Sequence, residues 1–280
     1  MSVDSPRTCR DGSSRTDRDQ RAFLRGSRRP SRSGAGPHPS TPAGSARVSQ
    51  FRLAALVPCY GAGTTVASVV SSALAYVEKV LVVDDGSRDE SSDRAREAGA
   101  QVITHTRNRG KGAALREGFQ ELSRQGFTHV VTLDADGQHL ASQIPVLVAQ
   151  SERYPERIII GSRCRDGVHE IDPLKRWAND FADGWVERAS GKKILDTQSG
   201  FRIYPMASLA NILSKEIRGR HFEFESEVLI LAVRRGLCIE TVDVQVYYPP
   251  PDERHSHYHP WLDTLRIILM IIPFVSKVRR

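Results

Sequence analysis

Val130-Val131-Thr132-Leu133-Asp134-Ala135-Asp136-Gly137-Gln138 is a short apolar run that ends in two carboxylates spaced i, i+2. Its β-branched residues read as a buried strand, and Gly137 marks the turn that ends it. The carboxylates therefore stand where a strand leaves its sheet, the usual ligand crevice of an open α/β sheet. Two hard oxygen donors there suit Mg2+ or Mn2+ carrying a substrate diphosphate, and Gln138 adds a neutral oxygen. A solvated Asp-rich turn would look the same in isolation, so the neighbouring sequence has to decide between them.

Upstream, the same grammar repeats. Leu53 to Pro58 reads as a first strand, followed by the glycine-bearing loop Cys59 to Gly63. Thr64 is placed to cap a helix over about residues 65–75. Val80 to Val83 reads as a second strand, again ending in two acids, Asp84-Asp85, then Gly86-Ser87. Asp89 or Ser91 can cap a helix through Ala98, and Gln101 to Thr104 forms a third strand. A helix from Lys111 to Ser123 leads into the strand at Asp134, then a helix over 144–153 and a strand over 158–161. Strands alternating with helices imply βαβ units and a mostly parallel sheet.

Beyond Gly161 the alternation loosens. Residues 174–189 have a helical period and carry Trp177, Phe181 and Trp185 at i, i+4, i+8, a core-packing stripe. Ser199 to Pro205 reads as a strand, 224–235 as a helix and 239–247 as a strand.

Acids on neighbouring strand ends repel unless they meet a cation or accept from a donor. A metal answers Asp134 and Asp136, and Asp84 or Asp85 can accept from a nucleobase N–H or a ribose hydroxyl. No Gly-x-Gly-x-x-Gly follows the first strand and no Gly-Lys-[Ser/Thr] loop is present, which argues against dinucleotide and P-loop sites. Asn108-Arg109-Gly110-Lys111-Gly112 opens a helix with two glycines and a basic cluster, a pattern suited to a phosphate.

The ordered set Val57-Pro58-Cys59-Tyr60, Val83-Asp84-Asp85-Gly86-Ser87, Asn108-Arg109-Gly110-Lys111-Gly112, Asp134-Ala135-Asp136-Gly137-Gln138 and Gly161-Ser162-Arg163 resembles family 2 glycosyltransferases of the GT-A fold. Within them it is similar to the dolichol-phosphate mannosyltransferase group of polyprenyl-phosphate glycosyltransferases. Asp196-Thr197-Gln198-Ser199-Gly200-Phe201-Arg202 and Phe222-Glu223-Phe224-Glu225 extend the match over about residues 53–248. The resemblance implies a Rossmann-like α/β sheet flanked by helices, a nucleotide-sugar donor, Mg2+ or Mn2+, and inversion at the anomeric carbon. By position it implies that Pro58, Tyr60, Val83, Asp84, Asp85, Lys111, Asp134, Ala135 and Gln138 bind the donor. It implies that Asp134, Asp136 and Gln138 hold the metal. Asp136, Arg163, Arg176 and Arg202 form the catalytic set, the arginines facing donor or acceptor phosphates. Where the family often has Asn-Glu after the tyrosine, this chain has Gly61-Ala62, so that glutamate's nucleotide contact is absent.

The implied chemistry is self-consistent. A lipid phosphate with a second pKa near 6 is mostly dianionic at neutral pH and attacks without a strong general base. Arginines then hold two phosphates close together. A sugar-hydroxyl acceptor would need a carboxylate base, for which Asp196 is the candidate. Its other reading is to orient Arg202 or the Gln198 loop.

The ends of the chain differ from its middle. Residues 1–49 hold ten Arg, four Asp, no Lys and no Glu, for a charge of 10 − 4 = +6 out of +7 overall. So few apolar residues cannot offset the chain entropy, and the segment reads as a disordered tail. Residues 50–250 then form the transferase domain, near neutral in charge. Four cysteines without metal spacing read as a reduced chain, and the N-terminus lacks the apolar core of a signal peptide. Residues 251–280 carry Trp261, the apolar run Ile267 to Val275 and terminal Lys and Arg, too short to span a bilayer. Either an interfacial anchor or a core helix fits that run.

The expectation is an enzyme that moves mannose or glucose from GDP-mannose or UDP-glucose to a polyprenyl phosphate, peripheral to the cytoplasmic membrane face. No nucleic-acid partner is expected. The alternatives are transfer to a lipid or glycan hydroxyl, and a catalytically degenerate sugar-nucleotide-binding protein.

Overall fold

The computed structural model describes residues 51–163, 173–213, 217, 219–221, 223–247, 270 and 274. The tail of residues 1–49 lies outside them, and of residues 173–180 only the helical backbone is described. The strands are β1 (Leu53–Cys59), β2 (Lys79–Asp84), β3 (Gln101–Thr104), β4 (His129–Thr132), β5 (Ile158–Arg163), β6 (Arg202–Pro205) and β7 (Ile239–Val244). They make one sheet in the order β3-β2-β1-β4-β6-β5-β7. Pairs β1–β2, β1–β4, β2–β3 and β5–β7 are parallel. Strand β6 runs antiparallel between β4 and β5. The mostly parallel α/β sheet is therefore as expected, with one reversed strand inside it.

The helices are α1 (Val66–Leu74), α2 (Ser91–Glu97), α3 (Lys111–Arg124), α4 (Ile144–Arg153), α5 (Pro173–Ser190), α6 (Met206–Leu213) and α7 (Glu223–Arg234). Successive residues of β1 explain why both faces are covered. Ala54 and Leu56 pack with Leu115, Phe119, Val228 and Leu229 from α3 and α7. Leu53, Ala55 and Val57 pack with Val66, Val70 and Leu147 from α1 and α4. Side chains alternate across a strand, so a strand apolar at every position needs a helical layer on each side.

Three departures from the sequence reading have local causes. Strand β6 starts at Arg202 instead of Ser199, because Ser199 Oγ donates to Gly161 O at 2.7 Å and Thr132 Oγ1 donates to Gly200 O at 2.6 Å. Those bonds fix 199–201 as a loop across the strand ends. Helix α6 follows β6 directly; the sequence reading ended at Pro205 and missed it. Helix α1 starts at Val66 with Thr65 as its unbonded cap, because Thr65 Oγ1 donates instead to Ala135 O at 2.6 Å.

The C-terminal ends of β1, β2, β4, β5 and β7 and the N-terminal end of β6 lie along one edge of the sheet. Among the described residues, the motifs at Pro58–Tyr60, Asp84–Asp85, Asp134–Gln138, Arg163 and Asp196–Arg202 lie at that edge. Of the C-terminal run only Met270 and Phe274 are described. Both are half-buried against the α3–α6–α7 face. Arg234 Nη2 donates to Phe274 O at 2.6 Å and lies 5.0 Å from its ring centroid. Among the described residues no helix is long and apolar enough to cross a membrane. Cys59 is a buried free thiol, whereas Cys238 is disulfide-bonded, a departure from the reduced-chain expectation that cysteine spacing does not signal.

Candidate active site

Asp134 leaves β4 two residues past its last paired residue and meets Lys111 from the first turn of α3. Lys111 Nζ lies 2.7 Å from Asp134 Oδ1 and 2.9 Å from Glu225 Oε2 of α7. Burial pushes the Asp134 carboxyl up, but the Lys111 charge outweighs it and the pKa comes down to about 2. The same two acids raise the Lys111 pKa against its own burial. Asp134 N donates to His139 Nδ1 at 3.2 Å, and the imidazole stacks on Phe201. Lys111, expected to hold a phosphate, is paired here with Asp134 and Glu225.

Asp136 is different. Its Oδ1 accepts from Gln138 N at 3.0 Å, closing the turn through Gly137, whose φ is 77°. Burial and then the Asp134 charge raise its pKa above the ordinary carboxylate value. A carboxylate disfavoured by a like neighbour is the group that a cation relieves. Among the described residues no three or more His, Cys, Asp or Glu side chains converge as a metal site. A hard cation fits here with Asp136 as protein donor and substrate diphosphate oxygens completing its shell, as Mg2+ commonly binds. Of the expected Asp134–Asp136–Gln138 set, Asp134 Oδ1 is engaged by Lys111 and Asp136 Oδ1 accepts from Gln138 N.

The acids at the end of β2 point inward. Asp84 and Asp85 are 1% and 3% exposed. Asp84 accepts from Ser87 N at 3.0 Å, from Ser87 Oγ and from Ser92 Oγ. Asp85 accepts from Arg109 N at 2.8 Å and Gly110 N at 2.6 Å, and its Oδ1 lies 2.6 Å from His105 Nδ1. His105 Nε2 meets Glu117 Oε2 at 3.0 Å. Both acids thus order loops, and Asp85 takes the two amides that precede the first turn of α3. Val83 lies in the core, Pro58 and Ala135 are buried, and Tyr60 is 40% exposed at the end of β1.

The three arginines separate. Arg163, at the end of β5, is gripped by Asp196: its N and Nε donate to Oδ2 at 2.9 Å each, and Nη2 to Oδ1 at 2.5 Å. Arg202 is fully buried, where the sequence reading had it facing a phosphate. Its Nε donates to Ser199 O and Nη2 to Thr197 O, both at 2.7 Å, and Nη1 to Tyr204 Oη at 3.0 Å and Glu225 O at 3.2 Å. A guanidinium away from water takes carbonyl acceptors to avoid losing its hydrogen bonds. Arg176 sits in α5, its side chain outside the described residues.

One loop joins these parts. It begins at Asp196, which holds Arg163, and reaches Gly200, which lies under Asp134. A Cβ at Gly200 would stand 2.7 Å from Asp134 Oδ2 and 3.0 Å from Oδ1. Glu225, His139 and Asp183 were given no role from sequence. Glu225 stood in a quoted motif; His139 and Asp183 carry no local signal.

The sheet and its loaded edge define an α/β transferase of the GT-A type. The chain belongs to glycosyl transferase family 2, whose family model matches residues 54–213. It is 25% identical over 213 residues to a UDP-N-acetylglucosamine–dolichyl-phosphate N-acetylglucosaminyltransferase of Methanococcus voltae, covering 69% of this chain and 84% of that one. It is 29% identical over 172 residues to an undecaprenyl-phosphate mannosyltransferase of Micrococcus luteus, covering 59% and 70%. In fold it is similar to glucosyl-3-phosphoglycerate synthase of Mycobacterium tuberculosis, solved with Mn2+, UDP and phosphoglyceric acid. That likeness has a TM-score of 0.62 at 19% identity and covers 81% of this chain and 79% of that one.

Proposed function

We propose that the protein transfers a hexose, mannose or glucose, from GDP-mannose or UDP-glucose to a polyprenyl phosphate at the cytoplasmic membrane face. The observation that carries this reading is the Asp196–Gly200 loop, which ties Arg163 to Asp134 across the strand ends. It holds a phosphate-type cation and the donor-side carboxylates in one frame. The Methanococcus and Micrococcus relatives, named for dolichyl and undecaprenyl phosphate, support the acceptor class.

Tyr60 offers a half-exposed ring beside β1 for the nucleotide. Asp136 supplies the oxygen donor for Mg2+ or Mn2+. When bound, such an ion neutralises the departing nucleoside diphosphate. Arg163 holds the acceptor phosphate against its repulsion by the donor diphosphate. The acceptor's phosphate oxygen forms the new bond to the anomeric carbon as the bond to the diphosphate oxygen breaks, with inversion. No base is needed, which agrees with Asp196: it is 3% exposed and bonded to Arg163. That bonding counts against the hydroxyl-acceptor alternative.

The test is Asp136→Ala, assayed with Mn2+ and both radiolabelled sugar nucleotides. Transfer should fall by at least about a thousandfold with the melting temperature retained. Full activity of the variant, or of wild type in excess EDTA, would overturn the metal assignment.

A further inference from the structure

We propose that Asp183, in the middle of α5, is a positioning residue that sets Arg163 for the acceptor phosphate; this rests on the reading just given. Asp183 lies off the aromatic stripe of α5, and its carboxylate faces the loop that precedes β6. Asp183 Oδ2 accepts from Asp196 N at 3.1 Å. Asp183 Oδ1 accepts from Thr197 N at 2.8 Å and from Thr197 Oγ1 at 2.5 Å.

The loop needs such a partner. Asp196 has φ 53°, and among the described residues it is the one non-glycine in the left-handed region. That conformation is disfavoured for L-residues and persists where surrounding bonds over-determine it. Here it turns two successive amides, Asp196 and Thr197, toward the same carboxylate. From the opposite side Arg202 takes the carbonyls of Thr197 and Ser199. A half-buried anion grips the loop's donors and a buried cation grips its acceptors. Burial, with the Asp196 charge adding to it, pushes the Asp183 carboxyl up, while the hydrogen bonds it accepts from Thr197 and Asp196 pull it down.

The consequence reaches Arg163 in one further link. With its backbone fixed, Asp196 presents both carboxylate oxygens to the Arg163 guanidinium and takes its backbone N–H as well. Without Asp183 the two amides lose their acceptor, the φ of Asp196 relaxes to negative values, and the carboxylate leaves the Arg163 fork. Asp183 touches no substrate; it acts through Asp196 on the arginine that does.

The experiment compares wild type, Asp183→Ala, Arg163→Ala and the double variant, using a short-chain polyprenyl phosphate as acceptor. Asp183→Ala should raise the acceptor KM about tenfold or more and move the donor KM less than about twofold. In the Arg163→Ala background the same change should add little, because the two act on one contact. Equal effects on donor and acceptor, or the same factor on top of Arg163→Ala, would overturn the proposal. If Asp183→Ala does not fold, Asp183→Asn keeps one acceptor oxygen, and an intermediate acceptor KM is expected. If wild type fails to use the lipid phosphate, the functional reading fails by itself, and hydrogen exchange still tests the link. Amides 196 and 197 should exchange at least about tenfold faster in Asp183→Asn, with β4 unchanged; unchanged exchange there would overturn it.

Discussion

Asp134 and Asp136 are two residues apart and electrostatically opposite, because Lys111 stands against one of them. The Asp134 carboxyl sits at about 2, below its ordinary 3.8. A carboxylate lowered on folding contributes stability that is present above its unfolded value and lost as pH falls toward the folded one. Lys111→Met removes that contribution and leaves Asp134 facing Glu225. The variant should lose about 3 kcal/mol at neutral pH, the low end for breaking a buried pair, since 29% of the Asp134 side chain stays exposed. In thermal melts across pH 2–7 the gap to wild type should be widest above about pH 4 and close toward pH 2. Gly200→Ala acts on the same carboxylate by volume, through the 2.7 Å approach to Asp134 Oδ2. It should lower kcat by about a hundredfold with a small change in Tm, as expected for an ångström-scale displacement of a site group. At this scale the sequence showed which residues cluster but not what each one faces. Asp84, Asp85, Lys111 and Arg202 are the right residue types at the right strand ends. Their bonds go to Ser87, the Arg109–Gly110 amides, Glu225 and the Thr197 carbonyl, partners set by loops whose course has no short-range code.

Among the elements, β1 to β4 and α1 to α4 were legible because the hydrophobic period repeats there and apolar strands require helices on both faces, although the caps read at Thr64 and at Asp89 or Ser91 fall instead at Thr65 and Glu90. Strand β6 was not legible in its direction: four buried residues carry no signal for parallel or antiparallel pairing. Helix α6 was missed because Pro205 reads as a stop, while the helix starts at Met206. The glycines of the α3 start read as a phosphate cradle, but Gly112 serves close packing. A Cβ there would stand 2.5 Å from Phe224 Cβ of α7. Gly112→Ala should therefore destabilise by about 1–3 kcal/mol, the usual cost of overpacking, read as a lower urea midpoint with an unchanged m-value. Because α3 and α7 carry Lys111 and Glu225, the acceptor and donor KM should both rise in that variant.

For the whole molecule, the site residues come from the ends of five strands, β1, β2, β4, β5 and β6, and the first 49 residues are Arg-rich and poor in apolar residues. A chain starting at Ser49 should keep the melting temperature and the rate with soluble acceptor; a large loss of rate would make the tail part of the site. In the proposed reaction the sugar goes to a phosphate oxygen on a lipid. The most direct test offers purified protein, with Mn2+ and radiolabelled GDP-mannose or UDP-glucose, equal amounts of a polyprenyl phosphate and the matching dephosphorylated polyprenol. Solvent-extractable label is expected on the phosphate acceptor with one of the two donors, abolished by EDTA, and none on the alcohol. Label on the alcohol at a comparable rate, or transfer to the phosphate that EDTA leaves untouched, would contradict it.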